Sequence, residues 1–188
     1  MKKLLLLVLL LANSSFVFTQ NEDDILWHPK TQLTWDDFQG KPQANHFAAA
    51  LTNASIQFAM KFEDNVYKID TRVFFKKKTS WVKEKGRNDY ILKHEQIHFD
   101  IFEVYARRFR KALLELDATL PPKKFSKKMV KTFKKHQKML LKAQKQYDRE
   151  TEHSIKKEPQ AAWYRKVEEE LKNTWKYSHP FLEIKYGV

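Results

Sequence analysis

His94-Glu95-Gln96-Ile97-His98 sets two imidazoles four residues apart, with a carboxylate beside the first. On a helix, residues four apart stand one turn above each other on the same face. His94 and His98 can therefore grip one metal ion from one side, and Glu95 can reach a water on that ion. This is the chemistry of a zinc hydrolase: the ion acidifies the water and the carboxylate takes its proton. The alternative, two core histidines with a stray glutamate, is disfavoured because an unpartnered carboxylate in an apolar stripe is costly.

The surrounding residues predict the helix that this geometry needs. Asn88 or Asp89 can cap its start, and neither Gly nor Pro interrupts the chain until Pro121. The spacing predicts an active-site helix over about 88–116, with Ile91, Phe102, Tyr105, Phe109, Leu113 and Leu116 on one face. His94, Glu95 and His98 fall on that apolar stripe. Lys93, Asp100, Glu103, Arg107, Arg110 and Lys111 fall on the opposite side.

A catalytic zinc takes three protein donors and keeps one position open. No further donor on this helix faces the right way, so the third must come from elsewhere. The segment Tyr147 to His153 is the best source, because antiparallel packing of a second helix brings it back to the motif. If that helix stays regular, Asp148 faces inward and His153 outward. If it ends near Thr151, His153 turns inward and Asp148 stands behind it. Glu150 is a third option but faces away in a regular helix, and His46 could reach the site from a loop. Tyr147 or Tyr105 is a candidate stabiliser of the developing oxyanion.

Other elements read more simply. Thr34 with Asp37 forms a capping box, which predicts one helical turn that Gly40 ends in a left-handed conformation and Pro42 keeps from resuming. Ala54 to Phe62 and Tyr67 to Phe75 alternate with period two around Glu63-Asp64-Asn65, a β-hairpin with one buried face. After Pro121-Pro122 a second helix runs from about Ser126 to about Glu152, with Val130, Phe133, Leu140, Leu141 and Tyr147 as its apolar stripe. Its many lysines read as a solvated face. A third helix spans about 160–177, and Phe181 to Tyr186 forms a last strand or docked tail. The fold class is α+β: a small antiparallel sheet followed by three main helices.

Composition narrows the setting. Lys2 and Lys3 followed by the apolar run Leu4–Leu11 give residues 1–20 the pattern of a signal peptide, which leaves 21–188 as one domain of an exported, periplasmic or extracellular bacterial protein. No later segment is apolar enough to span a bilayer. With no cysteine, disulfides and thiolate zinc sites are excluded, so the ligands must be His, Asp or Glu. A net charge of +13 favours anionic surroundings such as an envelope surface; without a compact recognition motif it does not imply nucleic acid.

The chain resembles a bacterial family of exported proteins of formally unknown function, usually described as secreted zinc-dependent proteases of the zincin type. The resemblance rests on Leu33-Thr34-Trp35-Asp36-Asp37-Phe38-Gln39-Gly40, on Leu92 to Ile101 around the motif, and on Tyr147-Asp148-x-x-Thr151-x-His153. It implies Zn²⁺ held by His94, His98 and His153, with Asp148 as the alternative third ligand, Glu95 as general base, and a peptide or protein substrate. It also implies that a sheet edge beside the motif helix pairs with that substrate. The family pattern has glycine after the last histidine, where this chain has Ser154. Two further readings share these residues: a non-catalytic basic module that holds an envelope polymer or lipid surface, and a metal-dependent amidase acting on cell-wall material.

Overall fold

The computed structural model describes residues 23–187, so the signal-peptide reading of residues 1–20 lies outside the described residues. The architecture is α+β. The hairpin pairs β3 (Ala54–Glu63) with β4 (Val66–Phe75) in register from Ala54↔Phe75 to Glu63↔Val66. Asp64 and Asn65 close it with φ of 53° and 59°, the two left-handed residues that match the twist of a two-residue turn. β1 (Ile25–Leu26) and β6 (Phe181–Lys185) both lie antiparallel to β4, one along each half of its far side. β4 is therefore paired on both sides, while β3 is an edge strand. A second small ladder joins β2 (Ala50–Leu51) to β5 (Trp81–Val82).

Three helices cover the sheet: α1 (Asp89–Leu114), α2 (Pro122–Thr151) and α3 (Lys157–Asn173). The Asn88 side chain caps α1 by accepting from the Ile91 amide at 3.0 Å. α2 starts earlier than its hydrophobic pattern implies, because Pro122 at its first position is already set to a helical φ. It buries Phe125, Met129, Phe133, Leu140 and Tyr147; Leu141, expected in the stripe, is 54% exposed. One core cluster joins Tyr67 and Ile69 of β4 to Phe109 and Leu113 of α1 and to Phe125, Met129 and Phe133 of α2. The Tyr67 ring stacks on Phe125 with centroids 3.9 Å apart. Side chains this fully removed from water each contribute about 1.5–3 kcal/mol of transfer free energy.

The turn at Trp35–Asp37 forms, and its Thr34–Asp37 capping box is present. Gly40 does not end it in a left-handed conformation, since Gly187 is the one described glycine with positive φ. Gly40 is needed for close approach instead: its amide donates to the Ser80 carbonyl at 2.7 Å, and a Cβ there would sit 2.8 Å from that same oxygen.

The polar side of α1 departs most from its pattern. Glu103, Arg107 and Arg110 are 2%, 1% and 2% exposed. Both arginines donate to Glu103 Oε1, at 2.9 and 2.8 Å. Arg107 also donates to the Leu171 carbonyl, and Arg110 to the carbonyls of Thr71 and Tyr177. α3 and the turn at Trp175–Tyr177 thus close over a face that reads as solvated. Nearby, Asp100 Oδ1 accepts from Trp27 Nε1 at 2.8 Å and from Gln96 Nε2 at 3.0 Å. Burial pushes its carboxyl up to about 6, although both hydrogen bonds pull the other way.

Two outcomes follow. Glu103→Ala, by leaving two buried guanidinium groups without their carboxylate, lowers unfolding stability by about 3 kcal/mol or more in denaturant titrations. The raised folded pKa of Asp100 makes its contribution favourable at low pH and lost as pH rises through about 6. Asp100→Asn keeps the Oδ1 acceptor, so at pH 8 it should be more stable than the parent by about 1 kcal/mol or more, with the gap closing below pH 4.

Candidate metal centre

His94 and His98 project from adjacent turns of α1 with Nε2 atoms 3.1 Å apart. Each ring is held at its other nitrogen by a glutamine. Gln160 of α3 presents Oε1 to His94 Nδ1 at 3.1 Å, and Gln144 of α2 presents Oε1 to His98 Nδ1 at 2.5 Å. The amides can face only one way, because Gln160 Nε2 donates to the Tyr90 carbonyl at 3.1 Å and Gln144 Nε2 to the His98 carbonyl at 3.0 Å. An imidazole nitrogen facing an amide oxygen must carry the proton. Both Nδ1 atoms therefore donate, and both Nε2 lone pairs point inward.

Asp148 of α2 completes the cluster. Its Oδ1 lies 3.0 Å from His98 Nε2 and 3.4 Å from His94 Nε2. The three donor atoms lie within 4.8 Å of one another, close enough to hold one metal ion. Three electron-rich atoms so close repel one another unless a positive charge stands between them. Protons can supply part of it. Burial disfavours the His98 imidazolium, but the Asp148 hydrogen bond and the charges of Glu95 and Asp148 outweigh it and raise its pKa. Burial likewise pushes the Asp148 carboxyl up, yet its bonds to His94 and His98 leave it below the usual carboxylate range.

α2 ends at Thr151, as an inward His153 requires. Glu152, His153 and Ser154 then follow with φ of 47°, 52° and 75°, three left-handed residues in a row. This reverses the chain and brings His153 Nδ1 to 3.4 Å from Asp148 Oδ1. The His153 ring is 41% exposed and packs against Phe47 at 4.6 Å. Both candidates thus meet, but Asp148, not His153, belongs to the tight group with His94 and His98. Glu150 turns to α3, where Oε2 accepts from Trp163 Nε1. His46 stays in its loop, its Nδ1 accepting from the Ala48 amide and its ring against Phe47 and Trp81.

Glu95 is 4% exposed, and its Oε2 is a buried oxygen with no hydrogen-bond partner among the described residues. Such an orphan costs about 1–3 kcal/mol or more, so it marks a position where a further donor belongs. Tyr147 is fully buried. Its ring stacks on His94 at 4.4 Å and its hydroxyl donates to the His94 carbonyl at 3.4 Å, so it braces the ligand helix from behind. The opening beside Asp148 is a cavity of about 480 Å³ walled by Lys145, Arg149, Glu152, His153 and Ile155.

The two glutamines were not singled out by sequence. Gln144 had a usable signal, since it stands one turn before Asp148 on the same face of α2. Gln160 had none, because its helix carries no other site residue.

The profile of a family described as "Bacterial protein of unknown function (DUF922)" matches residues 19–154, and the chain belongs to that family. The match ends at Ser154, so it takes in His94, Glu95, His98, Gln144, Asp148 and His153 but not Gln160. No curated protein and no solved structure matches the chain.

Gln144→Ala and Gln160→Ala should each weaken divalent-ion affinity about 10–100-fold in chelator-competition titrations, since a freed ring can turn its Nε2 away. Ser154→Gly, by relieving a left-handed non-glycine residue, should add about 1 kcal/mol of unfolding stability.

Proposed function

We propose that this family member is a zinc-dependent hydrolase of peptide or peptide-like amide bonds, built on the zincin plan. The observation that carries the reading is the convergence of two inward Nε2 lone pairs and a carboxylate oxygen beside an orphaned, buried glutamate oxygen. Zinc bonded at about 2.0–2.2 Å to tetrahedral ligands needs donor separations of about 3.4 Å. The three measured here are 3.1, 3.0 and 3.4 Å. Two imidazoles and a carboxylate, without thiolates, form a donor set used by catalytic zinc sites.

His94, His98 and Asp148 would hold the ion, and His153 stands ready beside Asp148 as the alternative third ligand. When bound, zinc supplies electrophilic activation of a water and of the scissile carbonyl. The remaining steps belong to the chain. Glu95 takes the proton of the attacking water at its unpartnered Oε2 and returns it to the leaving nitrogen. The Nδ1–H bonds to Gln144 and Gln160 fix the ligand tautomers through the cycle. An extended substrate has a natural seat at the free edge of β3, whose start is tied to the motif helix by the bond from Thr52 Oγ1 to the Glu95 carbonyl at 3.1 Å.

Metal analysis of the purified protein should find about one zinc per chain, and His94→Ala should abolish it. Glu95→Gln should keep the zinc while hydrolysis of a peptide library falls about 100-fold or more. Full activity in that variant would end the proposed role of Glu95.

A further inference from the structure

α2 carries ten lysines between Lys123 and Lys145, and its sequence from Pro122 to Tyr147 contains no Asp or Glu. All ten are exposed. None makes a hydrogen bond, ion pair or ring contact among the described residues, whereas Lys61 and Lys68 of the hairpin and Lys76 just after it pair with acids. At 100° per residue the ten fall within an arc of about 140°, and the stripe runs about 33 Å along one uninterrupted helix. Like charges three and four residues apart repel, so the isolated protein carries a standing electrostatic cost along this face. A solvated helix face is usually relieved by interspersed acids; α2 supplies none between Pro122 and Tyr147, and Asp117 beside Lys128 comes from the preceding loop.

We propose that the outer face of α2 is a docking surface for a bilayer rich in anionic phospholipid. Charge complementarity calls for an extended anionic partner. Three further features favour a lipid plane over another polyanion. The basic residues from Lys123 to Lys145 are all lysines, point charges on flexible stems that suit headgroups, and Arg149 alone continues the arc with a planar fork. One unbroken helix of about eight turns presents them as a single long face. Leu141 and Met139, 54% and 40% exposed, flank the stripe between Lys138 and Lys142, where they could enter the boundary between headgroups and acyl chains. One edge of the stripe borders Asp148, so a docked protein holds the mouth walled by Lys145 and Arg149 beside the lipid surface. This inference is independent of the hydrolase reading and can fail without it.

The test is cosedimentation of the full chain with phosphatidylcholine vesicles, with and without phosphatidylglycerol. Any contribution from the apolar run Leu4–Leu11 with Lys2 and Lys3 is common to the parent and to every variant, so it cancels in the comparison between them. Binding should require phosphatidylglycerol and weaken steeply with salt. Replacing Lys127, Lys131, Lys134 and Lys138 by glutamine should lower that partitioning about fivefold per lysine, a hundredfold or more for the four. The same number of substitutions at Lys30, Lys85, Lys172 and Lys185 should cost far less, and circular dichroism checks that both variants fold. Leu141→Ser should weaken vesicle binding severalfold. Equal binding to both lipids, or an unaffected four-lysine variant, overturns the proposal. So does soluble polyglutamate that binds as tightly as the vesicles with Leu141→Ser without effect, which would assign the stripe to an acidic polymer.

Discussion

Two imidazoles one helical turn apart offer four nitrogens, and nothing in the helix itself decides which of them meet. Here the choice is made by hydrogen bonds from Nδ1 of His94 to Gln160 and of His98 to Gln144. With those protons committed, both Nε2 lone pairs face Asp148 Oδ1, and a cation is the simplest way to reconcile the three. Each glutamine comes from a different helix and is itself locked by a backbone carbonyl. The site therefore depends on the packing of α1 against α2 and α3 together, and the rest of the fold serves that packing.

This explains why α1 is buried on several sides along its middle turns, with Lys93 and Lys111 left exposed nearer its ends. One side meets β4 through Phe109 and Leu113, another meets α2 and α3 through Ile97, Ile101, Val104 and Tyr147, and the third is closed by the segment beyond α3. Burying Glu103, Arg107 and Arg110 costs solvation, which the shared carboxylate oxygen and the carbonyls of Thr71, Leu171 and Tyr177 offset. In return the ligand helix is anchored on the side facing away from the site, so the imidazoles gain rigidity without losing access at the mouth.

Much of this was legible in the residues. Period-two alternation located the hairpin, the Asn88 cap and the absence of breakers located α1, and His-Glu-x-x-His located the cluster. Most of what was not legible depends on a neighbour distant in sequence. Arg107 and Arg110 read as solvated because, beyond Glu103 on their own helix, their acceptors are the carbonyls of Thr71, Leu171 and Tyr177, which have no sequence signature. Gly40 read as a left-handed cap because a glycine's need for close approach to Ser80 is tertiary. The third donor stayed open between Asp148 and His153 because it turns on the left-handed run Glu152 to Ser154, two residues of which have side chains that usually avoid that region. Leu141 read as core because it is leucine, although 100° per residue sets it at the edge of the lysine face, where it is 54% exposed.

The most direct test of the central claim is zinc-edge X-ray absorption on the purified protein, with the same measurement on Asp148→Ala and His153→Ala. One ion per chain bound by two imidazoles, with the zinc content lowered in Asp148→Ala and both the content and the imidazole count unchanged in His153→Ala, is the expected result. Absence of a specific ion, or a third imidazole that disappears in His153→Ala, would contradict it.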